Sequence, residues 1–322
     1  MSKDDAPRKV LIGTVLHSFR SENAELEARI ERVLSVLEEV AEEAARRYPG
    51  AGLDLVVFPE EALTEGRSEV AAERAVPLDG LVADAFGAAA RRHAAYLLIP
   101  TALAERDGFY NAAVLFGRRG EVAGIYRKIH PVAYLGHTDT EGGMTPGLEA
   151  SVFDCDFGRL GVQICFDMGF DDGWDLLAQK GAEIVAWPTA SPQTVEPAFR
   201  ARRMGCYIVS STPRHNAAIF DPSGLVAARI ELPQRVLVEQ IDLSFMVLPW
   251  SQELRNGQAL SELFGDRVGC RYSSAEDGGL FWSNDPSMSI GRMARRIGVL
   301  DRAEHWRNNL RLVEEARRGE LF

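Results

Sequence analysis

Apolar and polar positions follow two rhythms along most of the chain. Runs of strand length, apolar nearly throughout, occur at residues 9–16, 53–58, 96–104, 159–165, 183–187 and 207–211. Such runs are the pattern of buried strands. Other stretches carry apolar residues at helical spacing. Over residues 22–47, Ile30, Val33, Leu34, Leu37, Val40, Ala41 and Ala44 share one face, while Glu and Arg fill the other. Ser21 is placed to cap that helix, and Pro49-Gly50 to stop it. Helices are also predicted over 81–93, 174–180, 196–206 and 301–318. Residues 109–116 and 121–126 form a hairpin across Gly117-Arg118-Arg119-Gly120, and 217–220 and 225–230 another across Asp221-Pro222-Ser223-Gly224. The run at 159–165 pairs with 151–153, and 235–241 is a further strand. Residues 132–148 show no apolar period and are rich in glycine, which predicts a long functional or mobile loop. The alternation of strands and helices implies a mixed α/β body with two sheets packed together and helices outside.

The rhythm changes beyond Asp242, which divides the chain into a body, residues 1–242, and a C-terminal extension, 243–322. In the extension, apolar clusters (Phe245, Val247, Leu248 and Trp250; Phe281 and Trp282; Trp306, Leu310 and Val313) are separated by polar, Gly-rich connectors. That spacing predicts no independent core, so the extension is expected to bury against the body or a partner subunit. A homo-oligomer, at least a dimer, is expected on that ground.

Composition narrows the class. The 322 residues are 46% hydrophobic and 26% charged, as in a soluble globular protein. No apolar run approaches the ~20 residues of a membrane span. The charged first nine residues lack the apolar core of a signal peptide. Four cysteines without a Cys-x-x-Cys argue against a disulfide framework or a metal site, so a reducing, cytoplasmic setting is expected. A net charge of −11 disfavours nucleic acid as a partner.

Candidate chemistry sits just past three of the strands, at Glu60, Lys128 and Cys165. A thiol attacking a carbonyl or nitrile carbon needs a base for its proton, a positive charge for the oxyanion, and a proton for the leaving amine. A carboxylate, an ammonium and a thiol meet those needs without metal or cofactor. Taken singly, each has a plainer role: Glu60 or Glu61 as a solvated loop carboxylate, Lys128 as a surface lysine, Cys165 as a packed thiol. There is no Gly-x-Ser-x-Gly, His-Glu-x-x-His or Walker loop. Arg200, Arg202 and Arg203 at helical spacing are expected to form structural ion pairs, with binding of an anionic substrate the alternative. His137 and His215 are expected to be structural, with a place in the cleft wall the alternative.

Three segments together resemble the nitrilase, or carbon–nitrogen hydrolase, superfamily. They are Asp54-Leu55-Val56-Val57-Phe58-Pro59-Glu60; Asn111, Gly120 and Tyr126-Arg127-Lys128-Ile129-His130; and Gly161-Val162-Gln163-Ile164-Cys165-Phe166-Asp167. Arg200-Ala201-Arg202 and Ile219-Phe220-Asp221-Pro222-Ser223-Gly224 follow in the family's order, so the resemblance covers residues 10–242. It implies an α-β-β-α sandwich of two mixed sheets and hydrolysis of a non-peptide C–N bond through a Cys165 thioester. In that scheme Glu60 is the base, Lys128 and the Phe166 N–H hold the oxyanion, and His130 braces the lysine loop. Lys128 is also expected to lower the thiol pKa. A second family glutamate before a Pro-Gly corresponds to Glu141, one residue nearer the proline than usual. Met168-Gly169-Phe170-Asp171-Asp172 stands where relatives often carry Arg-Phe-Pro-Glu. Phe166-Asp167 resembles the aromatic-Asp of amidases and carbamoylases, which favours a small amide or N-carbamoyl substrate over a nitrile. A binding or assembly module with a vestigial site is the alternative from another class. Trp187, Thr189 and Ala190 follow a neighbouring strand and are candidates for the pocket wall, with core packing the other role for Trp187.

Overall fold

The computed structural model describes residues 6–22, 24–136 and 138–320, so His137 lies outside the described residues. The chain divides into two compact units. One is Val10–Ile241; the other joins the residues just before Val10 to the segment from Asp242 onward.

The larger unit runs β1 (Lys9–Val15), α1 (Leu26–Arg47), β2 (Leu55–Val57), α2 (Ala71–Arg74), α3 (Leu81–His93), β3 (Tyr96–Glu105), β4 (Gly108–Phe116) and β5 (Val122–Arg127). It continues with β6 (Val152–Cys155), β7 (Gly158–Val162), α4 (Asp171–Gln179), β8 (Ile184–Pro188), α5 (Val195–Met204), β9 (Tyr207–Ser211), β10 (Ala218–Phe220), β11 (Val226–Arg229) and β12 (Val236–Asp242). Two six-stranded mixed sheets result, in the orders β12-β1-β2-β3-β4-β5 and β11-β10-β9-β8-β7-β6. In each sheet a parallel centre is flanked by an antiparallel hairpin, β4–β5 in one and β10–β11 in the other. Helices α1 and α3 cover the first sheet through a core that includes Ile30, Val33, Leu37, Val40, Phe86 and Ala90. Trp174, Leu177 and Ala201 of α4 and α5 pack on the second through Val185, Trp187 and Ile208. The architecture is therefore the α-β-β-α sandwich. The sheets are tied to each other by hydrogen bonds as well: the Thr14 hydroxyl donates to the Ser210 carbonyl at 2.6 Å, and the Ser211 hydroxyl to the Val15 carbonyl at 2.8 Å, both buried.

Helix α1 starts at Leu26, after Glu25, without a side-chain cap. Ser21 therefore does not cap it. The buried Arg29 guanidinium bonds the carbonyls of Ser21, Ala24 and Glu65 and so fixes the entry loop instead.

The smaller unit contains β13 (Phe245–Pro249), α6 (Gln258–Phe264), β14 (Val268–Ser273), β15 (Gly278–Ser283), α7 (Ile290–Arg296) and α8 (Arg302–Arg317). Its strands form one antiparallel sheet ordered β13-β15-β14. Met246, Leu248, Leu254, Leu260, Phe264, Phe281, Ile290 and Met293 make a core of their own. The expectation of no independent core was wrong. The connector between β14 and β15, residues 274–277, is a hairpin turn whose glycines, Gly278 and Gly279, already belong to β15, and pairing brings apolar residues distant in sequence together. Helix α8 contributes no buried residue, and Trp306, Leu310 and Val313 lie exposed along it.

Candidate active site

Glu60 follows β2, Lys128 follows β5, Cys165 follows β7, and Ala190 follows β8. Apart from Lys128, which leaves an antiparallel edge strand, these are carboxyl ends of parallel strands, where α/β sheets bind ligands. Glu141 comes from the irregular segment between β5 and β6. The fold brings these loops to one place.

Lys128 is the hub, with its side chain 1% exposed. Its ammonium donates to Glu60 Oε1 at 2.8 Å and to Glu141 Oε1 at 2.5 Å. The Asn111 amide, from β4, donates to Glu60 Oε1 and to Glu141 Oε2, each at 3.0 Å. The remaining Glu60 oxygen accepts from the Ala190 N–H at 3.0 Å, and Glu141 Oε1 also accepts from the Val132 N–H at 3.0 Å. Both carboxylates are thus held by donors from separate loops. Burial alone would lower the Lys128 pKa, but the charges of Glu60 and Glu141 reverse that, and the net displacement is upward. The group stays an ammonium.

Cys165 opens a single turn of 3-10 helix, Cys165–Gly169, with φ of 44°. A left-handed non-glycine residue costs roughly 1–3 kcal/mol and persists only where its surroundings hold it. Here the Trp187 indole N–H donates to the Cys165 carbonyl at 3.1 Å, and the Ile164 N–H donates to Asp167 Oδ2 at 2.9 Å. Burial, and then the Glu60 charge, push the thiol up to about 12. Lys128, the Thr189 side chain and the Ala190 N–H act in the opposite direction and are outweighed. The expected lowering by Lys128 is therefore correct in sign for that one interaction but not for the sum. At neutral pH the resting group is a thiol.

Asp167, in the sequence only one member of a motif, organises the loop around the thiol. It is fully buried. Its Oδ2 accepts from the Tyr126 hydroxyl at 2.8 Å as well as from the Ile164 N–H, and its Oδ1 accepts from the His130 N–H at 2.9 Å. Its carbonyl accepts from the Trp174 indole at 3.0 Å. The His130 ring lies 3.1 Å from Asp167 Oδ1 and stacks on Phe170 at 3.9 Å. The hydrogen bond to Asp167 raises the His130 pKa. His130 thus ties the lysine loop to the cysteine loop. Arg200 holds the far end: its guanidinium donates to the Met168 carbonyl at 2.8 and 3.1 Å and to Asp171 at 2.9 Å, the structural role expected of it.

A cavity of about 550 Å³ opens over the cluster, with Glu60, Glu61, Arg74, Asn111, Tyr134, Glu141 and Ala190 in its wall. Thr189 is buried beside the thiol, whereas Trp187 is fully buried in the core, the second of the roles considered for it. Phe166 is 46% exposed and meets Phe170 edge-on at 5.4 Å. Glu61 is not the solvated carboxylate expected. It lies 3.2 Å from the Arg74 Nε, and burial, opposed by Arg74 and reinforced by Glu60 and Glu141, raises it to about 7. Asn111 entered the sequence reading only as one member of the second family-like segment, and Arg74, a basic residue in an unpredicted four-residue helix, carried no sequence signal. Among the described residues, no group of three or more His, Cys, Asp or Glu side chains is arranged to hold a metal ion. None of the described helices is long and apolar enough to cross a membrane.

The chain is similar to the human omega-amidase NIT2, at 26% identity over 73% of this chain and 88% of that protein. It is 36% identical to a Pyrococcus abyssi nitrilase over 46% of this chain and 56% of that one. In fold it resembles Saccharomyces cerevisiae Nit3, a member of branch 10 of the nitrilase superfamily, with a TM-score of 0.61 at 21% identity over 75% of this chain and 92% of that one. The sequence profile of the carbon-nitrogen hydrolase family matches residues 21–247, well over half of the chain. This protein belongs to the carbon-nitrogen hydrolase family.

Proposed function

We propose that the chain hydrolyses the C–N bond of a small amide or N-carbamoyl compound through a thioester on Cys165. The observation that carries this reading is the Lys128 ammonium bridging two oriented carboxylates beside a thiol in strained backbone. Because the thiol is protonated at rest, Glu60 takes its proton as Sγ attacks the carbonyl carbon. Lys128 and the Phe166 N–H receive the charge that develops on oxygen. Glu60 returns the proton to the leaving nitrogen, the C–N bond breaks, and the acyl group stays on sulfur. Water, deprotonated by Glu60, then attacks the thioester. The C–S bond breaks, the thiol regains its proton, and the acid departs. Glu141 keeps Lys128 aimed throughout.

The amide reading is supported by Phe166-Asp167 and by the amidase names among the relatives; a nitrilase is among them too. A panel of ω-amides of dicarboxylic acids, N-carbamoyl amines and nitriles, assayed for ammonia release, tests it. Turnover of amides or carbamoyl compounds ahead of nitriles is expected, and nitriles as sole substrates would overturn the preference. Glu141→Gln should lower kcat on the best amide of that panel, because the neutral side chain no longer balances the buried ammonium. A wild-type rate would remove Glu141 from the machinery.

The protein is further proposed to act in the cytoplasm as a homo-oligomer. The apolar side chains left exposed on α8, Trp306 and Leu310 foremost, support self-association. Light scattering at micromolar concentration should give a multiple of 35.5 kDa. A single-chain mass unchanged by dilution or salt would overturn it.

A further inference from the structure

We infer that Arg74 is a positioning residue for Glu141, with the Glu61 carboxyl group seating its guanidinium. The inference rests on the reading of Glu141 as part of the catalytic group. Arg74 closes the short helix α2 and is 7% exposed. Its guanidinium has three partners. Nη1 donates to the Ser68 carbonyl at 3.0 Å, Nη2 donates to the Glu141 carbonyl at 2.7 Å, and Nε is ion-paired with Glu61 Oε1 at 3.2 Å.

The bond to Glu141 matters because of the backbone there. Glu141 sits at φ 47°, left-handed for a residue with a side chain, and Gly142 follows at φ 75°. A Cβ on Gly142 would stand 1.8 Å from the Glu69 carbonyl, so only glycine fits. The Gly142 carbonyl in turn accepts from the Ala71 N–H at 2.9 Å. Both carbonyls of this tight turn are therefore held by α2, one through its first residue and one through its last. The turn sets the direction of the Glu141 side chain, and that direction brings Oε1 within 2.5 Å of the Lys128 ammonium. Without the guanidinium, the Glu141 carbonyl loses its partner and the left-handed conformation loses a restraint.

Glu61 completes the device from the opposite side. It also has a left-handed backbone, at φ 53°, and directly follows Glu60 in the chain. Its carboxylate lies in the same cavity wall as Glu60, Glu141 and Arg74. The Arg74 cation thus links the loop that carries the proposed base to the loop that carries the second glutamate.

A double-mutant cycle on kcat tests this, using the fastest-hydrolysed amide of the panel. If Arg74 acts through Glu141, Arg74→Gln lowers kcat about tenfold to a hundredfold, the scale of an ångström-sized misplacement. The double variant Arg74→Gln/Glu141→Gln is then no slower than the slower single variant. Losses that multiply in the double variant, or wild-type kcat in Arg74→Gln, overturn the inference while leaving Glu141 in its role. A wild-type rate in Glu141→Gln overturns the reading of Glu141 and this inference with it. If Arg74→Gln does not fold, Glu61→Gln replaces it in the same cycle. That variant keeps the size of the side chain and replaces the carboxyl group that meets Arg74 Nε with an amide, and the same non-additivity is expected. Multiplying losses, or a wild-type rate, again count against the positioning role.

Discussion

Cys165→Ala is expected to abolish turnover, by roughly the millionfold that accompanies loss of a covalent nucleophile, while the protein still folds. The substitution removes only the sulfur atom. The hydrogen bonds that hold the turn involve the Cys165 carbonyl and the side chain of Asp167, and alanine leaves both in place. The melting temperature should therefore remain near that of the wild type. The other thiols supply the control. Cys155 lies in β6, Cys206 is buried after α5, and Cys270 is exposed in β14 of the smaller unit. Each replaced by alanine should retain turnover. Measuring kcat and the thermal transition for all four variants decides the matter, and activity persisting in Cys165→Ala would end the thioester mechanism.

Glu60→Gln and Lys128→Met should each lower kcat by about 10²–10⁴, the scale for loss of a general base or an oxyanion donor, but they should differ in stability. A glutamine in place of Glu60 keeps the volume of the side chain, but its one oxygen can accept from the Ala190 N–H or from Lys128 and Asn111, not from both sides, and it cannot take the thiol proton. A methionine in place of Lys128 fills similar space but leaves Glu60 and Glu141 buried with no cation between them. Removing one partner from a buried ionic group costs about 3–5 kcal/mol, so Lys128→Met should melt well below the wild type and Glu60→Gln, which leaves Glu141 to balance the ammonium, less far below it. Kinetics together with thermal melts separate the two effects. An unimpaired Glu60→Gln enzyme would move the base elsewhere, and an unchanged melting temperature in Lys128→Met would mean that the two carboxylates do not depend on the ammonium.

The local pattern by itself determined most of the elements of the larger unit. Helix α3 and strand β9 lie where apolar spacing, Gly and Pro put them, and the boundaries of β3, β4 and β12 fall within one residue of that, because a buried strand or an amphipathic helix is written in contiguous residues. Glu60, Lys128 and Cys165 were legible for a related reason: each ends or follows an apolar run in a distinctive motif. What the tertiary structure alone decided depends on residues far apart in the chain. The thiol pKa was one such quantity, since the burial and the Glu60 charge that raise it come from segments more than a hundred residues apart. The bridging of Lys128 by two carboxylates, the Asp167 network and the Arg74 link to Glu141 are others; none has a period or a spacing that could announce it. The C-terminal core belongs with them. Its apolar clusters look unconnected along the chain, and only the pairing of β13 and β14 on either side of β15 places Met246, Leu248 and Phe281 in one interior. Periodicity records which face of an element is buried, whereas the identity of what it is buried against is a property of the folded chain.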